Sequence, residues 1–150
     1  MIMHIVTEYP PNSQSAIEAL LGEFDAMFEP CLSERVKIKE YAKKLAENAV
    51  WFLAYEQEAI LAHCAVYMNQ PENAFISSIA VRKEMRGKGI GDCLWKSVEK
   101  EAKQKGVSRI RLEVIKTNLS GIRFYKKQGC QILEDSGKWL VMEKKLQQQN

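Results

Sequence analysis

Apolar positions recur along this chain with two periods, and the changes between them divide it into elements. "MHIVTE" alternates in the manner of a strand, and "PPNS" breaks it. From Ser15 onward, Ile17, Leu20, Leu21, Phe24, Met27 and Phe28 recur at helical spacing. A second helix is expected from Ser33 to about Asn48, with Ser33 as its cap. "AVWFLAYE" and "AILAHCAVYM", separated by "QE", read as a hairpin, and "NAFISSIAV" follows as a further strand. Ile90, Cys93, Leu94, Val98 and Ala102 then form the apolar stripe of a helix whose Lys96, Lys100 and Lys103 face away and which Gly106 stops. "SRIRLEVI" is the next strand. Asn118 can cap a short helix carrying Leu119, Ile122, Phe124 and Tyr125 and closed by Gly129, and "CQILED" with "KWLVMEKKL" forms a last hairpin around Ser136-Gly137. The order β-α-α-β-β-β-α-β-α-β-β predicts a mixed α/β (α+β) fold, with about seven strands in a central sheet and about four helices.

The segment "RGKGIG", residues 86–91, lies between the strand "NAFISSIAV" and the helix that begins near Ile90. Gly87, Gly89 and Gly91 lack a Cβ, so the backbone can approach a ligand closely and aim successive N–H groups at one anion. The helix dipole, Arg86 and Lys88 add positive potential, which makes a phosphate or pyrophosphate the expected guest. An ordinary glycine-rich turn with solvated basic residues is the alternative from this loop alone. Two phosphate motifs do not fit. Walker A requires Ser or Thr after the lysine, and a dinucleotide fingerprint requires Gly or Ala where Asp92 stands and opens a domain near its first strand.

Composition narrows the partners. At 150 residues and 46% apolar, the chain is long enough for one domain with a core, expected to span residues 1–150. Lys and Arg exceed Asp and Glu by 22 to 19, and Arg82, Lys83, Arg86 and Lys88 cluster around a single acid, Glu84. That local excess suits a small anion rather than a nucleic acid, which calls for a broader basic face. Cys31, Cys64, Cys93 and Cys130 are widely spaced, with no CxxC, and read as reduced thiols in preference to a disulfide or metal site; no metal is expected. "MIMHIVTEYPP" has no signal-peptide pattern and no segment approaches membrane-spanning length, so a cytoplasmic protein with no membrane partner is expected. The final "QQQN" reads as a frayed tail.

A third phosphate-binding pattern does fit. "VRKEMRGKGIG", Val81 to Gly91, resembles the signature of the GCN5-related N-acetyltransferases, in which a strand ending in an apolar-Ala-Val step leads to a basic or Gln residue and then xxGxG or xxGxA. "NLSGIRFYKKQGC", Asn118 to Cys130, is similar to that family's Asn-xx-Ala-xxx-Tyr-xxx-Gly-Phe segment with its spacing kept. Gly121 stands where Ala is usual and Cys130 where Phe is usual, both at packing positions. The resemblance covers roughly residues 50 to 145 as an order of elements.

This resemblance implies transfer of an acetyl group from acetyl-CoA to an amine. The pyrophosphate would sit on Arg86, Gly87, Lys88, Gly89, Ile90 and Gly91. The strand carrying Ile79, Ala80 and Val81 would pair with the pantetheine amides like an added strand. A backbone N–H near Ile79 would stabilise charge developing on the thioester oxygen. Asn118 would meet the pantetheine or a neighbouring amide, its other reading being the helix N-cap already given. Tyr125 stands where the family's general acid stands, its alternative being a core aromatic. Some members use a Glu on the strand occupied here by "FISSIAV", where this chain has Ser77 and Ser78, which are unsuited as bases. Glu113 is the nearest carboxylate, either as base or as a strand residue facing solvent or paired with Arg111 or Lys116; an ordered water chain is the other route. His63 reads as a hydrogen-bonded structural histidine rather than a base.

The acceptor is less legible. The helical hairpin carrying Phe24, Phe28, Glu29, Glu34 and Tyr41 would wall its pocket. A minimal domain without a peptide-recruiting extension favours a small-molecule or sugar amine over a protein or peptide amine. A CoA-binding sensor of the same fold, without turnover, is the alternative of a different class, and intact Asn118 and Tyr125 speak against it. Minimal domains of this family often pair, so a homodimer is expected, with "KWLVMEKKL" either an ordinary core strand or an edge strand that pairs across a twofold axis.

Overall fold

The computed structural model describes residues 2–147. Seven strands form one mixed sheet: β1 (His4–Glu8), β2 (Ala49–Glu56), β3 (Ala59–Tyr67), β4 (Asn73–Val81), β5 (Arg109–Ile115), β6 (Gln131–Asp135) and β7 (Trp139–Lys145). Their spatial order is β1-β2-β3-β4-β5-β7-β6, with β4 and β5 parallel and every other neighbouring pair antiparallel. Five helices flank the sheet: α1 (Gln14–Phe24), α2 (Leu32–Arg35), α3 (Ile38–Asn48), α4 (Ile90–Gln104) and α5 (Leu119–Lys127).

Each face of the sheet has its own core. On one, Leu94, Trp95, Val98 and Ala102 of α4 pack on Phe52, Cys64, Ile76, Ile110 and Leu112, together with Tyr125 of α5. On the other, Leu21, Phe24, Ala42 and Leu45 of α1 and α3 pack on Trp51 and Ala65. The helical period therefore reads correctly on α4, although Trp95, fully buried, belongs to the stripe and Cys93 lies at its half-buried margin.

The first helical region departs from the expected pattern. α1 starts earlier, with Ser13 accepting a hydrogen bond from the Ala16 amide at 3.3 Å, and ends at Phe24; Asp25–Met27 tighten into a 3-10 turn and Phe28 is extended. The expected Ser33–Asn48 helix is two helices separated by extended Val36 (φ −140°, ψ 158°). Ser33 is not a cap. Its amide and hydroxyl both donate to the Asp25 carboxylate at 2.7 Å, which ties α2 to the end of α1 and holds Asp25 below the ordinary carboxylate pKa. A β-branched residue in the β region, three positions beyond the anchored Ser33, interrupts the helical period there.

"KWLVMEKKL" is not at an edge: β7 lies between β5 and β6, and β1 and β6 are the outer strands. All four cysteines are free thiols, with Cys64 and Cys130 buried. No helix among the described residues is long and apolar enough to cross a membrane. Of the tail expected to fray, residues 148–150 lie outside the described residues.

Candidate active site between the parallel strands

β4 and β5 pair only from Asn73–Arg109 to Ile76–Leu112, so the second half of β4, Ser77–Val81, has no partner on its β5 side. The cause is visible on the other edge of β4. Against β3, Ala65 opposes Ser78 while Val66 opposes Ile76, which leaves Ser77 as an extra residue in a bulge. Tyr41 of α3 fastens that bulge: its hydroxyl donates to the Ser77 carbonyl at 3.0 Å and lies 2.5 Å from Ser77 Oγ. Burial pushes the Tyr41 phenol up to about 12, so it stays a neutral donor. The bulge bends β4 and ends its pairing with β5.

A cleft of about 650 Å³ occupies the opening. Its walls contain Ile79, Ala80 and Val81 of β4, Glu113 of β5, Asn118 and Tyr125, together with Arg86, Gly87, Gly89, Ile90 and Gly91 at the start of α4. These expected residues are thus brought together. Lys88 is exposed and does not line the cleft. Arg82, counted in the basic cluster, is engaged elsewhere: it donates to the Ile60 carbonyl at 2.6 Å, pairs with Glu23 at 3.0 Å and stacks over Phe24. Arg86 braces the loop by donating to Val81 and Met27 carbonyls at 3.3 and 3.2 Å.

Gly87 (φ +79°) and Gly89 (φ +81°) have the left-handed backbone that glycine permits, and a Cβ at either would meet open space. Gly89 is the N-cap of α4 and carries no side-chain cap, so the first amides of the helix are donors without intrahelical partners. Asp92, the acid nearest that terminus, lines the cleft with its carboxylate already engaged by Gln128 at 2.6 Å and Lys127 at 3.1 Å, which also lower its pKa. The terminus thus keeps its positive potential for an outside anion. Gly91 has a second reason to be glycine: a Cβ there would lie 2.9 Å from Phe124 Cε1, so α4 and α5 pack through it.

Asn118 caps α5, its Oδ1 accepting from the Gly121 amide at 3.0 Å. A Cβ on residue 121 would lie 2.6 Å from Asn118 Nδ2, so the Gly121 departure accommodates this cap. Tyr125 is 8% exposed and lines the cleft, and burial raises its phenol pKa above the ordinary value. Cys130, the other departure, is buried in the core, where its amide donates to the Tyr125 carbonyl at 3.0 Å. Glu113 is exposed to the cleft and forms no ion pair among the described residues, because Arg111 lies against Glu143 (3.7 Å) and Lys116 against Asp135 (2.6 Å).

Among the residues proposed for the acceptor wall, Phe28 and Glu29 line this cleft, whereas Phe24 is fully buried in the core and Glu34 is exposed away from it. Sequence reasoning missed Arg35 and Trp139, which face each other across the cleft with the guanidinium 5.6 Å from the indole ring. No local spacing links them, since one lies on α2 and the other on β7. It also missed the pairing of Ser78, on the cleft wall, with the buried His63.

The open parallel strand pair thus has a glycine-rich helix start at its mouth. The acetyltransferase (GNAT) family profile matches residues 14–130, and the chain belongs to that family. It is 38% identical over 68 residues to the thialysine N-epsilon-acetyltransferase of Mus musculus, covering 45% of this chain and 40% of that protein. It is 36% identical over 61 residues to the L-ornithine N5-acetyltransferase of Arabidopsis thaliana, covering 41% and 27%. The matches therefore span well under half of those relatives. The PaiA N-acetyltransferase of Thermoplasma acidophilum, solved in complex with coenzyme A, superposes with TM-score 0.76 at 20% identity over 97% of this chain and 100% of that one. The ribosomal-protein-S18-alanine N-acetyltransferase of Escherichia coli gives 0.75 at 16% over 99% and 97%. These likenesses show the fold.

Proposed function

We propose that this chain is an acetyl-CoA-dependent N-acetyltransferase acting on a primary amine of a small molecule or amino sugar, by direct attack in a ternary complex. The observation that carries the reading is the unpaired Ser77–Val81 edge of β4, which opens onto a cleft shared with the bare N-terminus of α4. The residues fit the co-substrate: an unpaired strand edge offers hydrogen bonds to an amide-bearing arm, and the uncapped helix start with open space at Gly87 and Gly89 suits a pyrophosphate. Acetyl-CoA supplies an activated acetyl thioester.

The chain's own groups would then divide the work. Backbone amides of Gly87–Gly91 and the flanking Arg86 hold the diphosphate. The backbone at Ile79–Val81 aligns the pantetheine arm, and an N–H near Ile79 faces developing charge on the carbonyl oxygen. Asn118 fixes the start of α5 and so the position of Tyr125. Tyr125 holds a proton on its hydroxyl for the departing sulfur, and Glu113 receives the proton that the amine loses. Holding amine and thioester in line contributes much of the acceleration in such a transfer.

The mouse and Arabidopsis relatives are named for amines of free amino acids, which supports a small-molecule acceptor. A cytoplasmic location and self-association belong to the same proposal, and the first accords with four free thiols. The decisive experiment follows thiol release from acetyl-CoA over a panel of small amines, amino sugars and peptides. Release with small amines supports the proposal. Release with peptides alone would replace the acceptor class, and tight CoA binding without release would favour a sensor.

A further inference from the structure

A second cleft, of about 610 Å³, lies on the α3 side of the opening. Tyr41 and Lys44 of α3, Tyr67 of β3, Asn73 and Phe75 of β4, and Arg111 of β5 wall it. Ser77 lines both clefts, so both reach the bulge. No aspartate or glutamate lines the second cleft, while two cations do. Arg111 Nε stands 3.7 Å from Glu143, and Arg109 takes the same carboxylate at 3.4 Å, so two guanidiniums share one negative charge. Lys44 Nζ, without an ion pair among the described residues, sits 5.5 Å from the centre of the Tyr67 ring. Arg111 Nε and Asn73 Oδ1 are buried and make no hydrogen bond. With Lys44 and Arg111 on its wall and no carboxylate lining it, the cleft favours a guest with an anionic end.

We propose that this cleft binds a carboxylate of the acceptor through Arg111 and Lys44, so that the substrates are ω-amines with an acidic group at the far end. The inference rests on the acetyltransferase reading and adds the substrate class. Spacing selects the ω-amine. Arg111 is opposite Phe75 in the sheet, two residues from Ser77 and four from Ile79. At ~3.3 Å per residue that is ~7 to ~13 Å between the anion site and the point of attack. An α-amine sits one carbon from its carboxylate and does not span this distance; an ω-amine on a chain like that of 6-aminohexanoate does.

The test compares 6-aminohexanoate with hexan-1-amine, which differ by the carboxylate, alongside a series from glycine to 8-aminooctanoate. We expect kcat/KM for 6-aminohexanoate to exceed that for hexan-1-amine by about tenfold or more, with glycine inactive. Arg111→Gln should erase the preference, raising KM for the carboxylated amine by far more than for hexan-1-amine. Lys44→Gln, on an exposed position of α3, should reduce it in part and carries the test if Arg111→Gln fails to fold. Calorimetric titration of the CoA-loaded protein with 6-aminohexanoate reads the site without turnover. Binding that Arg111→Gln or Lys44→Gln weakens supports the anion site even if no acetyl group moves, in which case the acetyltransferase reading alone fails. Equal kcat/KM for the two amines, a preference surviving both substitutions, acetylation confined to peptides, or no binding would each overturn the proposal.

Discussion

His63 Nε2 lies 2.8 Å from the hydroxyl of Ser78, which links the buried face of β3 to the wall of the cleft between β4 and β5. Three aromatic rings surround the imidazole: Phe24 at 4.8 Å, Trp51 at 5.4 Å and Phe28 at 5.9 Å between ring centres. Its Nδ1 is buried without a hydrogen bond. Burial, with a smaller contribution from the Arg82 charge, pushes the imidazole pKa down to about 3. This is the environment of a neutral positioning group and a poor one for a base.

That burial predicts a pH dependence of stability. The unfolded chain protonates His63 near the ordinary value of about 6.5, whereas the folded protein resists protonation until about 3. Between those values the unfolded state binds the additional proton. Its contribution to stability is therefore full above about 6.5 and falls as the pH drops through this window, at up to about 1.4 kcal/mol per pH unit. Urea unfolding of the wild type and of His63→Gln at about pH 7 and about pH 5 checks it. The wild type should lose more stability on acidification than the variant, and equal losses would contradict the assignment.

The glycines of the α4 loop should separate by phenotype. Gly89→Ala places a side chain on a left-handed residue, shifting the loop and weakening CoA binding by at least about tenfold. Gly91→Ala drives a methyl group toward Phe124 and should lower thermal stability, at an overpacking cost of about 1 kcal/mol or more. Lys88→Ala, exposed and off the cleft wall, should change CoA affinity by less than about fivefold. Calorimetric CoA titrations paired with melting curves read all three variants. A Gly89→Ala protein with unchanged CoA affinity would remove the loop from the binding site.

The glycine loop, the Asn118 cap and Tyr125 were legible in the sequence because each is a local pattern: a residue type at a fixed distance from a strand or helix end. The succession of strands along the chain was nearly as legible, since period-two alternation and short turns mark each strand. What escaped was contact across elements. Asp25 holding Ser33 splits a helix that periodicity draws as continuous. The bulge at Ser77, which opens the sheet, depends on its register against β3 and on Tyr41 from another layer. Arg82 and Arg111 looked equally basic in sequence; only packing shows the first braced against Ile60 and Glu23 and the second set on a cleft wall.

Self-association, if it uses the sheet, has to use an outer strand. β6 is exposed along its whole length, with Ile132 at 48% and Leu133 at 51%, and β7 is already paired on both sides. We expect a homodimer joined along β6, because an unpaired, partly apolar strand edge is a template for a second copy. Light scattering at micromolar concentration should give twice the chain mass for the wild type and the chain mass for Leu133→Lys. A wild-type monomer would reject the expectation, and a dimer that survives Leu133→Lys would place the interface elsewhere.

The role given to Tyr125 makes the sharpest demand on the chemistry. Burial, reinforced by the neighbouring Cys64 and Cys130 thiols, raises the phenol above its ordinary pKa of about 10, so the hydroxyl keeps its proton at neutral pH and beyond. A group that must donate to a departing thiolate is suited by that state, and its activity should show no alkaline loss across the range where an exposed tyrosine ionises. Tyr125→Phe retains the ring that packs at 5.5 Å from Phe124 and 6.3 Å from Trp95 between ring centres, and removes only the donor. A positioned general acid contributes about 10²–10⁴-fold, so kcat should fall toward that range while acetyl-CoA affinity stays within a few-fold. Steady-state kinetics with an active amine, together with a CoA titration, distinguish the cases. Retained kcat with a lowered melting temperature would make Tyr125 a packing residue and leave the sulfur to be protonated by water.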